Sequence, residues 1–144
     1  MSRGVITVGS TTEKARVFHS YGLATSIKQS DPDSLTCLVV DKNKSDLVPK
    51  DYLTVFDYIV ELPFGNSAYV DGFHGMNIWQ MIHCSPFDET IYVDSDTLFH
   101  NIDIDLLWDT MKIKGDFAVP TNALTYRNYP IDTTRRFEYE NKNE

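Results

Sequence analysis

Two carboxylates, Asp94 and Asp96, stand on either side of Ser95 in the stretch Ile91-Tyr92-Val93-Asp94-Ser95-Asp96-Thr97-Leu98-Phe99, directly behind an apolar run. In an extended chain successive side chains alternate, so the two aspartates would point to one side and Ser95 to the other. Neighbouring carboxylates repel, and both stay ionised only when a cation or hydrogen-bond donors compensate. A divalent metal is the direct compensation. Hard oxygen ligands select Mg²⁺ or Mn²⁺, and either ion can keep open positions for water and a diphosphate. The competing reading is structural, with Asp94 starting a turn after a strand and Asp96 capping it.

Which reading holds depends on the elements around the pair. The β-branched run at 5–8 ends in Gly9-Ser10, and from Thr12 a helical pattern places Val17, Tyr21 and Ala24 at i, i+4 and i+7. Asp31-Pro32-Asp33-Ser34 breaks the chain, and 35–40 reads as a continuously apolar strand of the kind buried on both faces in a parallel sheet. Pro49 opens a short helix over 50–55, and 58–61 is a third strand. Met76, Trp79 and Ile82 recur at helical spacing over 74–84, Ser85-Pro86 stops that helix, and 89–93 is a fourth strand. Asp103 is a candidate N-cap for a helix through Leu106, Leu107 and Met111, and 116–119 fits a further strand. Strand and helix alternate, which predicts a Rossmann-like α/β sandwich with a mostly parallel central sheet. Asp94 and Asp96 would then lie at the carboxyl end of an interior strand, where open α/β sheets bind ligands. The expected organisation is an α/β domain over 1–120 and a polar tail over 121–144 that packs less well.

The 144 residues are 42% hydrophobic, enough for a real core, and carry a formal charge of −8. That charge argues against a nucleic-acid or anionic-membrane surface, since both need clustered Lys and Arg. An anionic ligand would need a cation to bridge it. No apolar run reaches the length of a membrane span and the start lacks a signal-peptide pattern, so a cytoplasmic protein is expected. Cys37 and Cys84 read as reduced packing thiols. His19, His74, His83 and His100 form no ligand spacing, and Met76, Trp79 and Trp108 read as core.

Tyr92-Val93-Asp94-Ser95-Asp96-Thr97-Leu98, followed by Asn101-Ile102-Asp103 and Leu106-Leu107-Trp108-Asp109, resembles the D-x-D region of GT-A glycosyltransferases, especially the glycogenin and lipopolysaccharide galactosyltransferase group. The turn Thr7-Val8-Gly9-Ser10 is similar to that group's uridine-binding first strand. Trp79-Gln80 and Ser85-Pro86-Phe87-Asp88-Glu89-Thr90 look like short glycosyltransferase-like proteins of large bacteriophages, whose place would be the host cytoplasm. The resemblance implies a GT-A fold and a hexosyltransferase that takes a UDP-sugar, glucose or galactose being the expected sugar, with the acceptor unknown. It implies that Asp94 and Asp96 hold Mn²⁺ (or Mg²⁺), that Asp94 and Ser95 lie near the ribose or donor sugar, and that Val8, Gly9 and Ser10 contact uracil and ribose. The chain departs from the group at the helix before the D-x-D strand. A Lys is usual there and Asn77 or Ile78 stands in its place, which makes Asn77 the candidate contact. The group's third metal ligand, a His far toward the C-terminus, has no counterpart before Glu144.

Two other functions compete. Asp94-Ser95-Asp96-Thr97 behind an apolar strand also resembles the nucleophile loop of haloacid dehalogenase phosphatases, with Asp94 attacking phosphorus and Asp96 as acid/base. That loop normally follows a first strand, whereas here three strand-helix units precede it. The third function is a non-catalytic nucleotide-binding fragment, and self-association is open for each of the three.

Overall fold

Val5-Ile6-Thr7-Val8 is β-branched throughout, and such side chains suit a pleated chain covered on both faces. The run forms most of β1 (Arg3–Val8), whose four central residues are buried. The structure, a computed structural model, describes residues 2–9, 14–65, 80–100 and 104–114, apart from the side chains of 14–16 and 110–114. After β1 come α1 (Lys14–Ser30), β2 (Leu35–Val40), two 3-10 segments (Ser45–Leu47 and Lys50–Thr54), β3 (Tyr58–Glu61), α2 (Met81–Cys84), β4 (Glu89–Tyr92) and α3 (Ile104–Lys114). Ser10, the residues 66–79 with Met76, Asn77 and Trp79, the Asp103 cap, the strand at 116–119 and the tail at 121–144 lie outside the described residues. The chain divides into two compact units, Met1–Ile104 and Asp105–Glu144.

The four strands form one sheet in the order β3-β2-β1-β4, and every pairing is parallel. The expected α/β class with a parallel sheet is therefore present. Among the described residues β4 pairs with β1, and the strand expected at 116–119 lies outside them. β2 is buried almost throughout, as its unbroken apolar sequence requires. Its alternate residues separate two cores. Cys37 and Val39 pack with Ile6, Leu62, Met81 and Phe87 on one face, while Leu38 and Val40 pack with Ala24 and Phe56 on the other. Met81 belongs to α2 and Ala24 to α1, so the two helices cover opposite faces.

α1 buries Val17, Ser20, Leu23, Ala24 and Ile27 along one side and ends where the Asp31 N–H donates to the Ile27 carbonyl at 2.8 Å, just before Pro32. The inward phase of α2 differs from the expected one. Ile82 is 85% exposed, whereas Gln80 and Met81 are buried. Gln80 faces inward because it holds the turn after β3. Its Oε1 accepts from the Phe64 N–H at 3.1 Å and its Nε2 donates to the Gly65 carbonyl at 2.9 Å. At the other end of the sheet Phe87 lies against Gly4, where a Cβ would overlap the ring. Cys37 and Cys84 are both free, and burial, with the neighbouring Cys84, pushes the Cys37 thiol up to about 12, in keeping with inert packing thiols. In the second unit, α3 buries Trp108 and leaves Leu106 exposed. No helix among the described residues is long and apolar enough to cross a membrane.

Candidate functional site

Because all four strands run parallel, their carboxyl ends share one edge of the sheet. β1 leaves that edge through Val8 and Gly9, and the Gly9 N–H donates to the Val39 carbonyl at 2.8 Å. A Cβ on Gly9 would lie 2.9 Å from Leu38 Cδ1, 3.0 Å from Ser20 Oγ and 3.6 Å from the Val17 Cα. Glycine here leaves room for the Leu38 and Ser20 side chains where α1 meets the strand end, and a larger residue would force those side chains to move.

β4 leaves the same edge. The ladder runs one residue past the strand, since the Val93 N–H donates to the Ile6 carbonyl at 3.0 Å, and the chain then turns. The Thr97 N–H closes the turn on the Asp94 carbonyl at 3.1 Å. Asp94 and Asp96 are thus the first and third residues of a β-turn. The extended geometry expected to align their side chains by alternation stops at Asp94. Both aspartates are exposed and Ser95 is half-buried. The outgoing strip is tied to α1, where the Phe99 N–H donates to Ser26 Oγ at 2.9 Å.

One side chain orients Asp94. The Tyr92 hydroxyl donates to Asp94 Oδ1 at 2.6 Å, and the Tyr92 ring packs against the Ile6, Cys37, Val39, Leu62, Met81 and Phe87 cluster. No signal in the sequence separates this tyrosine from an ordinary strand aromatic. Asp41 directly follows β2 on the same edge and is 3% exposed. Its place after an apolar strand is the same signal that marks Asp94. At the end of β3, Glu61 holds the 41–45 turn that follows the neighbouring strand β2. Its carboxylate accepts from the Asn43 N–H at 2.9 Å and the Ser45 N–H at 3.1 Å, and with the Ser45 hydroxyl these donors hold it down at about 2.

As a donor set for a cation, the turn offers hard carboxylate oxygens that face solvent, with no partner for Asp96 among the described residues. This suits Mg²⁺ or Mn²⁺ sharing its coordination with water and a ligand's phosphates. It does not suit a closed protein cage, and among the described residues no three His, Cys, Asp or Glu side chains form a metal-holding group. His19, His83 and His100 are exposed. Of the sequence-derived candidates, Val8, Gly9, Asp94, Ser95 and Asp96 fall on the carboxyl edge of the two adjacent strands β1 and β4. Ser10 and Asn77 lie outside the described residues. Compared with known protein families the chain matches none, and a search of curated proteins finds no match.

Proposed function

We propose that the protein is a metal-dependent glycosyltransferase of the GT-A type, which binds a UDP-sugar and transfers the hexose to an acceptor. The observation that carries this reading is the Asp94-Ser95-Asp96 turn directly behind β4, beside the Val8-Gly9 end of β1, on the carboxyl edge of an all-parallel sheet. In this reading Asp94 and Asp96 hold Mn²⁺ together with the diphosphate, and the strand end at Val8, Gly9 and Ser10 receives uracil and ribose. Ser95 and Asn77 are the remaining candidate contacts to the nucleotide-sugar. A bound Mn²⁺ would supply positive charge to stabilise the departing diphosphate. The protein's part is to hold Asp94 through Tyr92, to place Asp96 in the same turn, and to offer the neighbouring strand end to uracil. The −8 charge makes the bridging cation necessary, because the protein offers the diphosphate few cationic groups of its own.

Mass action supplies the test, since a ligand that binds only the native state raises its stability. UDP with Mn²⁺ should raise the melting temperature of the parent, and EDTA should abolish the rise. Asp94→Asn and Asp96→Asn keep the side-chain shape but each remove one charge, so both should fold and both should lose the shift. UDP binding that is equally strong in EDTA would overturn the metal reading. Turnover of p-nitrophenyl phosphate with Mg²⁺, lost in Asp94→Asn, would favour the phosphatase instead.

A further inference from the structure

We infer that Tyr92 is the positioning residue of the aspartate pair, holding the Asp94 carboxylate in the orientation that receives the cation. The inference rests on the reading of Asp94 and Asp96 as a metal-diphosphate site. An exposed aspartate on a turn ordinarily samples several rotamers, or folds back onto the N–H groups of its own turn. Asp94 does neither. Among the described residues no N–H of the 94–97 turn donates to its carboxylate, and Oδ1 is taken by the Tyr92 phenol at 2.6 Å. An ionised carboxylate only accepts, so the phenol is the donor, and a bond to a charged acceptor at this distance belongs to the strong class.

The bond joins residues i and i+2, which lie on the same side of a strand, so the pleat that fixes the Tyr92 ring also aims its hydroxyl along the strand toward Asp94. The ring is held by the core cluster around Ile6, Cys37 and Met81, so the donor is fixed by the interior of the protein and not by the loop. With Oδ1 tethered, Oδ2 accepts no hydrogen bond among the described residues and belongs to an exposed side chain. A carboxylate already oriented loses less freedom when a cation arrives, which is how outer partners of metal ligands raise affinity.

Tyr92→Phe tests this, because it removes the hydroxyl and keeps the ring that packs in the core. Titration calorimetry would measure Mn²⁺ affinity at saturating UDP, and uridine affinity without metal, for the parent and the variant. The expected result is roughly tenfold weaker Mn²⁺ binding, at the low end for outer-partner substitutions because the site is exposed. Uridine affinity should be unchanged, as should the melting temperature of the unliganded protein. If Mn²⁺ affinity changes less than twofold while the parent binds UDP only with metal, the positioning role is overturned and the proposed function stands. If Mn²⁺ and uridine affinities fall together with the melting temperature, Tyr92 is only a packing residue and the inference fails. If the parent itself binds UDP without regard to Mn²⁺, the metal reading falls and the inference falls with it.

Discussion

The chain contains one short pattern twice, an aspartate pair in D-x-D spacing followed by a hydroxyl residue. Asp31-Pro32-Asp33-Ser34 leads into β2, and Asp94-Ser95-Asp96-Thr97 leads out of β4. Both are turns closed on the first aspartate's carbonyl, by the Ser34 N–H at 3.3 Å and the Thr97 N–H at 3.1 Å. The carboxylates behave differently. Asp31 uses both oxygens inside its own turn, Oδ1 accepting from the Asp33 N–H at 3.1 Å and Oδ2 from the Ser34 hydroxyl at 2.6 Å. Asp94 accepts nothing from its own turn among the described residues and is held from outside by Tyr92. The 31–34 turn stands at the amino edge of the sheet and the 94–97 turn at the carboxyl edge, where parallel sheets collect ligands. The pattern alone is therefore uninformative, and the two turns differ in whether the first carboxylate is engaged by its own turn or by a side chain outside it.

The largest expected effect separates the two turns by ligand linkage. At UDP a hundredfold above its Kd with Mn²⁺ present, binding adds about 2.7 kcal/mol of stability. Asp94→Asn and Asp96→Asn should abolish that gain, whereas Asp31→Asn and Asp33→Asn should keep it in full. Thermal melts of all four variants with and without ligand decide the matter, and loss of the shift in the 31–34 variants would erase the distinction.

A second pair of like residues sharpens the same lesson. Thr7 on β1 and Thr36 on β2 are both buried, at 2% and 1% exposure. The Thr36 hydroxyl reaches the Val55 carbonyl at 2.6 Å and Asp57 Oδ2 at 3.1 Å, whereas the Thr7 hydroxyl has no partner among the described residues. Thr36→Val should cost about 0.5–1.5 kcal/mol, because it removes a donor from the half-buried Val55 carbonyl and the more exposed Asp57 carboxylate, while Thr7→Val should gain up to about 1 kcal/mol by deleting an unmatched hydroxyl. Urea unfolding of both variants measures this, and a loss in Thr7→Val would show that its hydroxyl is satisfied. No larger is the direct cost of truncating each turn. Asp31→Ala should lose about 1 kcal/mol with its two local hydrogen bonds, and Asp94→Ala, which loses a single exposed bond, no more than about half of that. Equal losses in the same unfolding experiment would mean that Asp94 is as structural as Asp31.

Much of this organisation was legible in the sequence. The β-branched and continuously apolar runs place β1, β2 and β3, and the alternation of units implies the parallel sheet, since burial on both faces leaves no polar stripe. The aspartates at the end of the fourth strand were legible for the same reason. What the chain does not spell out is local chemistry. Ile82 completes a helical apolar spacing, yet Gln80 takes the buried place because the backbone of the 63–65 turn needs its amide, a requirement set by residues distant in sequence. The end of the extended chain at Asp94 escapes pattern reading too, because turn and strand end share the same residue types. Tyr92 packs in the core, and its hydroxyl is given meaning only by the residue two places on.

A third acidic residue tests the lesson at the carboxyl edge itself. Glu61 ends β3 as Asp94 follows β4, but Glu61 is committed to backbone, with its carboxylate closed by the Ser45 hydroxyl and the N–H groups of Asn43 and Ser45. Those donors favour the charged form and lower it from its ordinary 4.5 to about 2. A carboxyl depressed on folding stabilises the native state above its unfolded value and loses that contribution as pH falls through the folded one. The parent should therefore be more stable than Glu61→Gln at pH 7, and the gap should stay constant down to about 4.5 and close as pH approaches about 2. Part of the acid loss should persist in Glu61→Gln. Asp57, where burial works upward but the Lys28 ammonium and the Thr36 N–H and hydroxyl outweigh it, is also depressed, and so is Asp88 through the backbone N–H and hydroxyl of Ser2. Urea midpoints of parent and variant at steps between pH 7 and pH 2 give the gap directly. A gap that stays constant over the whole range would mean that Glu61 is not held by the 41–45 turn, and the contrast between a committed carboxylate after β3 and an available pair after β4 would lose its ground.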